Sequence, residues 1–404
     1  MHTQPRSPIT ILAISDSDSY LKWAATTLDT LGPDCAPRVV LVRSPIFPSP
    51  AQCEAATSGT RFATALPRVV SMPRLRRMLR EHTPDVILLA GTGPVMEVVA
   101  EIAVRLPSPP ALISGIPGMA LPARAKGIEF RSRVHSMVVH SERERTEYAA
   151  LMDALGVRQD LVLNPLPFLP RRAQHSAEAT TTLVFTPQAL VPRSAHQRER
   201  ILRALHSAAL THTDLTVVVK VRALAGEQQT HNEQFPYDSL WDDLCERDKG
   251  LRREALTFAA GPLSNYLSPG SAHVTVSSTA ALESLAAGLP TMILSDFGVN
   301  ERLLNAVYSG SGCVGTLEDV VELRFGQPDR DWLTANYFHT SPPELPAHLA
   351  ELAGRARSGT LPTHPPLNVG RRRRRLARNW LRSTVPPALA RASQRVSRAL
   401  RRAL

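Results

Sequence analysis

The chain has 404 residues, 43% of them hydrophobic and 21% charged, which predicts two or three folded domains and excludes wholesale disorder. Its net charge of +11 comes from one end, because residues 371–404 contain twelve arginines and no acid, and a protein-wide nucleic-acid-binding face is therefore not expected. The sequence has no apolar run of membrane-spanning length, no signal-peptide pattern at its start and no CxxC pair, so we expect a cytoplasmic body without a structural metal or disulfides.

Short apolar runs recur through the first 140 residues, with helical or loop segments between them. They read TILAIS, RVVLV, DVILLA, ALISG and SMVVH. Fully apolar strands separated by helices are typical of a parallel sheet that is covered on both faces. The pattern predicts an α/β fold that begins with a doubly wound, Rossmann-like domain over residues 1–168.

The segment ISDSDSYLKW places Asp16 and Asp18 directly after the first strand. Open α/β sheets bind ligands at the carboxyl ends of their strands, so either carboxylate could act there as a general base for an acceptor hydroxyl. Capping of the following helix by Asp16 or Ser17 explains the same residues equally well. Both interpretations stay open.

Glycine turns follow the later strands of this series, in AGTGP and SGIPGMALP. A glycine allows a ligand to approach the backbone closely, but a simple tight turn also requires one. The candidates for cleft or acceptor turns are Gly91, Gly93, Gly115 and Gly118.

Residues 165–180 are rich in proline and polar residues, which is typical of a connection between domains. A second series of apolar runs follows: TTLVFTP, LTVVVKVR, LTFAAG, HVTVSS and TMILSD. It predicts a second Rossmann-like domain over residues 181–355. Two such halves joined by a linker predict a cleft between them.

Charged residues follow the second strand of this series and suggest an anion site. Lys220 and Arg222 lie on the same side of one strand end, where both could contact donor phosphates. Lys220 could also act in catalysis by stabilising the leaving group as it gains charge, or it could simply reach solvent. Further along that segment, Glu227 and His231 are four residues apart and are either cleft groups or a pair that stabilises the loop.

The stretch HVTVSSTAALESLAAGLP places three hydroxyls, Ser277, Ser278 and Thr279, where a strand leads into a helix. Backbone N–H groups at a helix start, together with hydroxyls, can bind phosphate oxygens. Glu283 follows one turn later, and because a diphosphate would repel it, we expect it to contact a ribose or sugar hydroxyl. Ordinary capping explains the hydroxyls too, but Ala280 precedes Glu283 by three residues and excludes a capping box.

This stretch, the following SDFGVNERLLN and the paired halves resemble the nucleotide-sugar site of glycosyltransferases with the GT-B architecture. ISDSDSYLKW and VVVKVRALAGEQQTHNE also resemble a family of uncharacterised glycosyltransferases, which extends the resemblance over about residues 8–345. It implies transfer of a sugar from a nucleotide-sugar held by the second domain to a glycan or lipid-linked acceptor, for polysaccharide biosynthesis. Asp16-Ser17-Asp18 is also similar to the metal-binding Asp-x-Asp of another glycosyltransferase architecture, but the paired domains favour a transferase without metal or cofactor.

Residues 356–404 are predicted to be a linker followed by an arginine-rich amphipathic tail. Beyond Pro387 a helix would align four arginines on one stripe, and Trp380 could lie at a membrane interface. We therefore expect contact with an anionic membrane surface at its inner face rather than with nucleic acid, a solvated tail being the alternative.

Two other functions are compatible with the same sequence. A nucleotide-sugar epimerase shares the paired domains and the acid-bearing helix and needs no acceptor. A non-catalytic scaffold would keep the fold and use the tail for binding.

Overall fold

The structure, a computed structural model, describes residues 7–44, 47–169, 173, 178–188, 190–221 and 233–384. The chain forms two compact units. The first unit contains the described residues of Met1–Phe168 and Ser341–Leu404, and the second unit contains those of Leu169–Thr340. Within the described residues, no helix is both long and apolar enough to cross a membrane.

The first unit is built on a seven-stranded parallel sheet. Its strands are β1 (Ile9–Ser15), β2 (Cys35–Val42), β3 (Arg68–Val70), β4 (Val86–Ala90), β5 (Ala111–Gly115), β6 (Ser136–Val139) and β7 (Asp160–Leu163). The helices between them are α1 (Asp18–Asp29), α2 (Pro50–Thr57), α3 (Met72–Glu81), α4 (Gly93–Ala103), α5 (Ala125–Phe130) and α6 (Glu142–Ala154).

The strand order is β3-β2-β1-β4-β5-β6-β7, which is a doubly wound arrangement. Side chains alternate between the two faces of each strand, so Leu12 and Ile14 pack on one apolar layer while Ile11 and Ala13 pack on the other. All five predicted strands are confirmed, and their continuous apolar runs reflect burial on both faces. The short edge strands β3 and β7 are additional to the prediction.

The second unit contains a six-stranded parallel sheet in the order β10-β9-β8-β11-β12-β13. The strands are β8 (Thr182–Thr186), β9 (Thr216–Lys220), β10 (Thr257–Ala259), β11 (Ser271–Thr275), β12 (Thr291–Leu294) and β13 (Val314–Gly315). Its α-helices are α7 (Ala195–Thr211), α8 (Tyr237–Arg247), α9 (Ala280–Ala286), α10 (Leu317–Val321) and α11 (Arg330–Ala335). The five predicted strands are confirmed, and the two-residue β13 is additional.

The second unit ends at Thr340 and not at residue 355 as predicted, because helix α12 (Leu345–Arg357) belongs to the first unit. Leu345, Leu349 and Leu352 form an apolar stripe on α12 that packs against the first sheet, beside Ile11 and Val86. The stripe covers part of one apolar face of that sheet. Residues 341–355 therefore belong to the first unit.

The prediction for the first half of the tail is wrong, because this part of the chain contains helix α13 (Val369–Thr384) of the first unit. It packs against α4, and Leu376 and Trp380 lie against the core of the first unit. Trp380 is thus partly buried within the protein, because α13 turns its apolar side inward, instead of presenting that side chain to a membrane. Residues 385–404, with the predicted stripe of four arginines, lie outside the described residues.

Candidate functional site

Each sheet has one point at which successive strands lead away in opposite directions. In the first sheet this point lies between β1 and β4, and in the second it lies between β8 and β11. Such switch points leave a crevice at the carboxyl ends of the strands, where α/β proteins bind ligands. The residues that follow these four strands are therefore the candidates.

Asp16 follows β1 and bridges the first switch point. Its carboxylate accepts hydrogen bonds from the Thr92 backbone N–H (2.9 Å) and from the Thr92 hydroxyl, directly after β4. The residue is fully buried, and burial raises the pKa of its carboxyl above the ordinary value. Asp16 therefore ties two strand ends together, whereas Asp18, the first residue of α1, is only half-buried.

Arg131 adds a buried cation to this network. Its guanidinium donates to the Ser114 hydroxyl (2.9 Å), the Gly91 carbonyl (3.0 Å) and the Tyr20 hydroxyl (2.9 Å). Its positive charge favours the ionised form of Asp16, against the larger effect of burial. The carboxyl ends of β1, β4 and β5 are thus held by the protein's own charged groups.

The predicted glycine turns lie at these strand ends, and three of them are closely packed. A Cβ at Gly91 would lie 2.5 Å from Met96, one at Gly93 would lie 2.3 Å from Phe130, and one at Gly115 would lie 2.6 Å from Trp23. Gly118 instead has a φ of +75°, which glycine adopts without strain. Internal packing and backbone conformation account for these glycines.

The hydroxyl turn of the second unit follows β11, and side chains from two other segments hold it. The Gln188 amide, which follows β8 across the switch point, donates to the Ser277 carbonyl (2.6 Å). The buried Tyr308 hydroxyl donates to the Ser278 carbonyl (3.0 Å), and burial raises the pKa of that phenol. Two consecutive carbonyls are therefore tied to the protein, which fixes the orientation of the turn.

The three hydroxyls of the turn differ in their hydrogen bonding. Ser278 Oγ accepts from the Ala280 N–H (3.2 Å), while Thr279 occupies the N-cap position of α9 without a side-chain capping bond. Ser277 Oγ is buried and has no hydrogen-bond partner among the described residues. Glu283 lies in the first turns of α9 and is half-buried. The structure thus brings all four predicted residues to the second switch point.

Lys220 is the last residue of β9, next to β8 in the sheet, and is half-buried. It lies at the carboxyl edge of the second sheet, as predicted. Arg222, Glu227 and His231 lie outside the described residues, so their roles stay predictions. Among the described residues, no group of three or more His, Cys, Asp and Glu side chains could hold a metal ion.

Four residues at the switch points escaped the sequence prediction: Thr92, Arg131, Gln188 and Tyr308. Each acts through contacts with residues far away in the chain, so local spacing carries no signal for it. Gln188 could have been found from topology, because it follows the strand that adjoins β11 in a doubly wound sheet.

The sequence profile of one protein family matches residues 11–352, which is most of the chain. The chain belongs to this family. It is described as "Putative glycosyltransferase (DUF6716)". The match spans both switch points, so the candidate residues of both units lie inside the region that defines DUF6716.

Solved structures similar to this DUF6716 chain include S. aureus MnaA with UDP, at 10% identity and a TM-score of 0.54, covering 88% of this chain and 99% of that one. A structure from Listeria monocytogenes titled "putative UDP-N-acetylglucosamine 2-epimerase" gives 12% identity and a TM-score of 0.54, with coverage of 89% and 98%. A UDP-glucosyltransferase from Polygonum tinctorium gives 11% identity and a TM-score of 0.49, with coverage of 95% and 100%. No curated protein sequence matches the chain. The fold is the α/β two-domain GT-B architecture.

Proposed function

We propose that this DUF6716 protein transfers a sugar from a nucleotide-sugar donor to a glycan or lipid-linked acceptor, without a metal or cofactor. The observation that carries the proposal is the family match over residues 11–352. The hydroxyl turn at the second switch point supports it, because α/β folds bind nucleotides at such crevices.

The donor phosphates are assigned to the turn that contains Ser277, Ser278 and Thr279. Hydroxyl donors there would stabilise the negative charge that builds up on the departing phosphate during sugar transfer. Because Gln188 and Tyr308 already hold the turn, little reorganisation accompanies binding. Lys220 adds a positive charge at the same edge of the sheet, at the end of β9, two strands away from β11.

Glu283 is assigned to hydroxyl groups of the donor's ribose or sugar. A carboxylate binds hydroxyls well and is repelled by phosphate, so its place one turn after Thr279 separates the two ends of a nucleotide-sugar.

The acceptor is assigned to the first unit, with Asp18 as the general base. A base must reach the acceptor hydroxyl, and Asp18 is half-buried, while both oxygens of the fully buried Asp16 bond to Thr92. Asp16 is then a positioning residue for the strand ends.

Purified protein incubated with a panel of sugar nucleotides and a membrane-glycan extract tests the proposal. Release of the nucleoside diphosphate should depend on the acceptor, and Glu283→Gln should reduce it at least tenfold. Glu246→Gln, an exposed glutamate on α8, is the matched control and should leave it unchanged. Absence of binding and turnover with every donor would reject the proposal.

A nucleotide-sugar epimerase is the second candidate, favoured by the fold similarity to structures titled UDP-N-acetylglucosamine 2-epimerase. An epimerase changes the sugar with the donor alone. Product analysis without acceptor separates the two functions: an epimerised sugar nucleotide supports the epimerase, and an unchanged donor supports the transferase.

A further inference from the structure

Two helices of the first unit, distant in sequence, lie together on one face of its sheet. Met72, Leu75 and Leu79 of α3 belong to the same apolar cluster that Leu376 and Trp380 of α13 pack against. The two helices also contact each other. Their outward sides are therefore parts of one surface.

Buried ion pairs fix which side of α13 faces outward. Arg375 Nε donates to Glu97 Oε2 (2.9 Å), and the same guanidinium also contacts Glu129. Arg372 donates to Glu101 (2.6 Å). Glu97 is only 2% exposed, and a buried carboxylate must keep a paired cation, so α13 cannot rotate without breaking these contacts.

The outward sides of the two helices are strongly basic. The exposed residues include Arg373, Arg374 and Arg378 on α13 and Arg74, Arg76, Arg77 and Arg80 on α3. Glu81 is the one acid in the sequences of the two helices, and it pairs with Arg77 at 2.7 Å. We refer to these seven arginines as the basic platform.

The charge is specific to these two helices. Helix α6 packs on the same sheet face but contains four acids and two arginines in the sequence ERERTEYAALMDA. A general excess of arginine in the protein therefore does not explain the platform.

Exposed apolar side chains accompany the arginines. Leu381 and Val369 on α13 are 62% and 63% exposed, and Leu381 lies three residues after Arg378, on the same side of the helix. Arginine guanidinium groups interleaved with exposed aliphatic groups match the boundary between lipid headgroups and acyl chains.

We propose that the basic platform docks the first unit on an anionic phospholipid bilayer. A nucleic acid would use the arginines equally well but would gain nothing from the exposed Leu381 and Val369, so the apolar groups favour lipid. The contact involves α3 as well as the C-terminal helix, and it does not depend on which reaction the protein catalyses.

Flotation of the full chain with vesicles of phosphatidylcholine, with or without 30% phosphatidylglycerol, tests the platform. We expect binding to the anionic vesicles only, and release at 0.5 M salt. Each basic residue near an anionic bilayer strengthens partition about fivefold, so R373E/R374E/R378E should weaken it at least roughly 100-fold. R74E/R76E/R80E should have an effect of similar size, although no residue of the C-terminal helix is changed.

The control variant R193E/R302E/R330E makes the same charge change at three exposed arginines of the second unit and should bind within about twofold of wild type. Circular dichroism of all variants verifies folding. The proposal is overturned if both platform variants bind normally, or if only deletion of 385–404 abolishes binding. It is also overturned if the protein binds an RNA oligonucleotide and no vesicle.

Discussion

The two switch points have the same topology but different chemistry. In the first unit Asp16 bonds to Thr92, and Arg131 bonds to the Gly91 carbonyl, so charged and polar side chains of the protein tie the strand ends together. In the second unit a turn of neutral hydroxyls is held through its backbone carbonyls, which leaves a buried hydroxyl at Ser277 without a partner among the described residues. The first arrangement ties its strand ends through charged side chains and the second through backbone carbonyls, although the first also leaves one buried hydroxyl, that of Ser15, without a partner among the described residues.

The largest effect is expected from removing the carboxylate that closes the first switch point. Asp16→Ala should lower the free energy of unfolding by about 3–4 kcal/mol, because it leaves the half-buried Thr92 groups without their acceptor and the buried Arg131 without its countercharge. Urea denaturation measures the loss, and hydrogen exchange of peptides from β1 and β4 localises it. Asp18→Ala should cost under about 0.5 kcal/mol. Equal losses in the two variants would contradict the closed network.

Acid should destabilise both units, and in each unit the largest contribution is expected from one buried histidine. Burial lowers the pKa of His135 in the first unit to about 4 and that of His273 in the second to about 3. The unfolded chain binds protons at both below pH 6.5 while the native chain does not, so stability falls as pH falls from 6.5 towards 4. Each histidine should contribute about 3 kcal/mol to that loss.

Unfolding measurements between pH 7 and 4 verify this, with hydrogen exchange to separate the units. His273→Asn should flatten the pH dependence of the second unit only. His196→Asn, at an exposed position on α7, should leave both profiles unchanged. A wild-type stability that is constant over this range would refute the prediction.

A smaller effect is expected at the second switch point from Tyr308→Phe. Loss of the hydroxyl leaves the Ser278 carbonyl without that donor, which should cost about 1–2 kcal/mol in stability and weaken nucleotide binding about tenfold. Calorimetric titration with UDP and thermal unfolding measure the two quantities. Tyr266→Phe removes a similar bond, from Tyr266 to the Ala260 carbonyl (3.1 Å), and should leave UDP affinity unchanged. Equal affinity in all three proteins would exclude a positioning role for Tyr308.

The smallest effect on stability is expected from Ser277→Ala. This substitution separates an internal role of the hydroxyl from a role in ligand binding. Removing a buried hydroxyl without a partner should change stability by less than about 0.5 kcal/mol, or raise it. UDP affinity should nevertheless fall severalfold. Ser284→Ala removes a paired hydroxyl, 2.8 Å from that of Thr291, so it should cost about 1 kcal/mol and spare UDP binding. If Ser277→Ala destabilises the protein as much, the hydroxyl has an internal role.

The parallel strands could be predicted from sequence because strands buried on both faces appear as continuous apolar runs, as in VILLA of β4. Edge strands of two or three residues, such as β3 and β13, are too short to show any pattern. The apolar stripe of α12 predicts a packed helix but not which sheet it covers. Glu97, within the apolar helix GPVMEVVAEIA, was a usable signal for a buried cation that sequence reasoning missed.

The position of α13 has a consequence for the order in which the protein is completed during translation. The ribosome makes Glu97 early, but its arginine partners arrive after the whole second unit has been synthesised. At ordinary elongation rates the interval from residue 168 to 384 takes roughly 10–40 s, during which the nascent first unit lacks two of its helices. The downstream unit can therefore mature before the upstream one, and a truncated transcript would leave an unfinished domain at the front of the polypeptide.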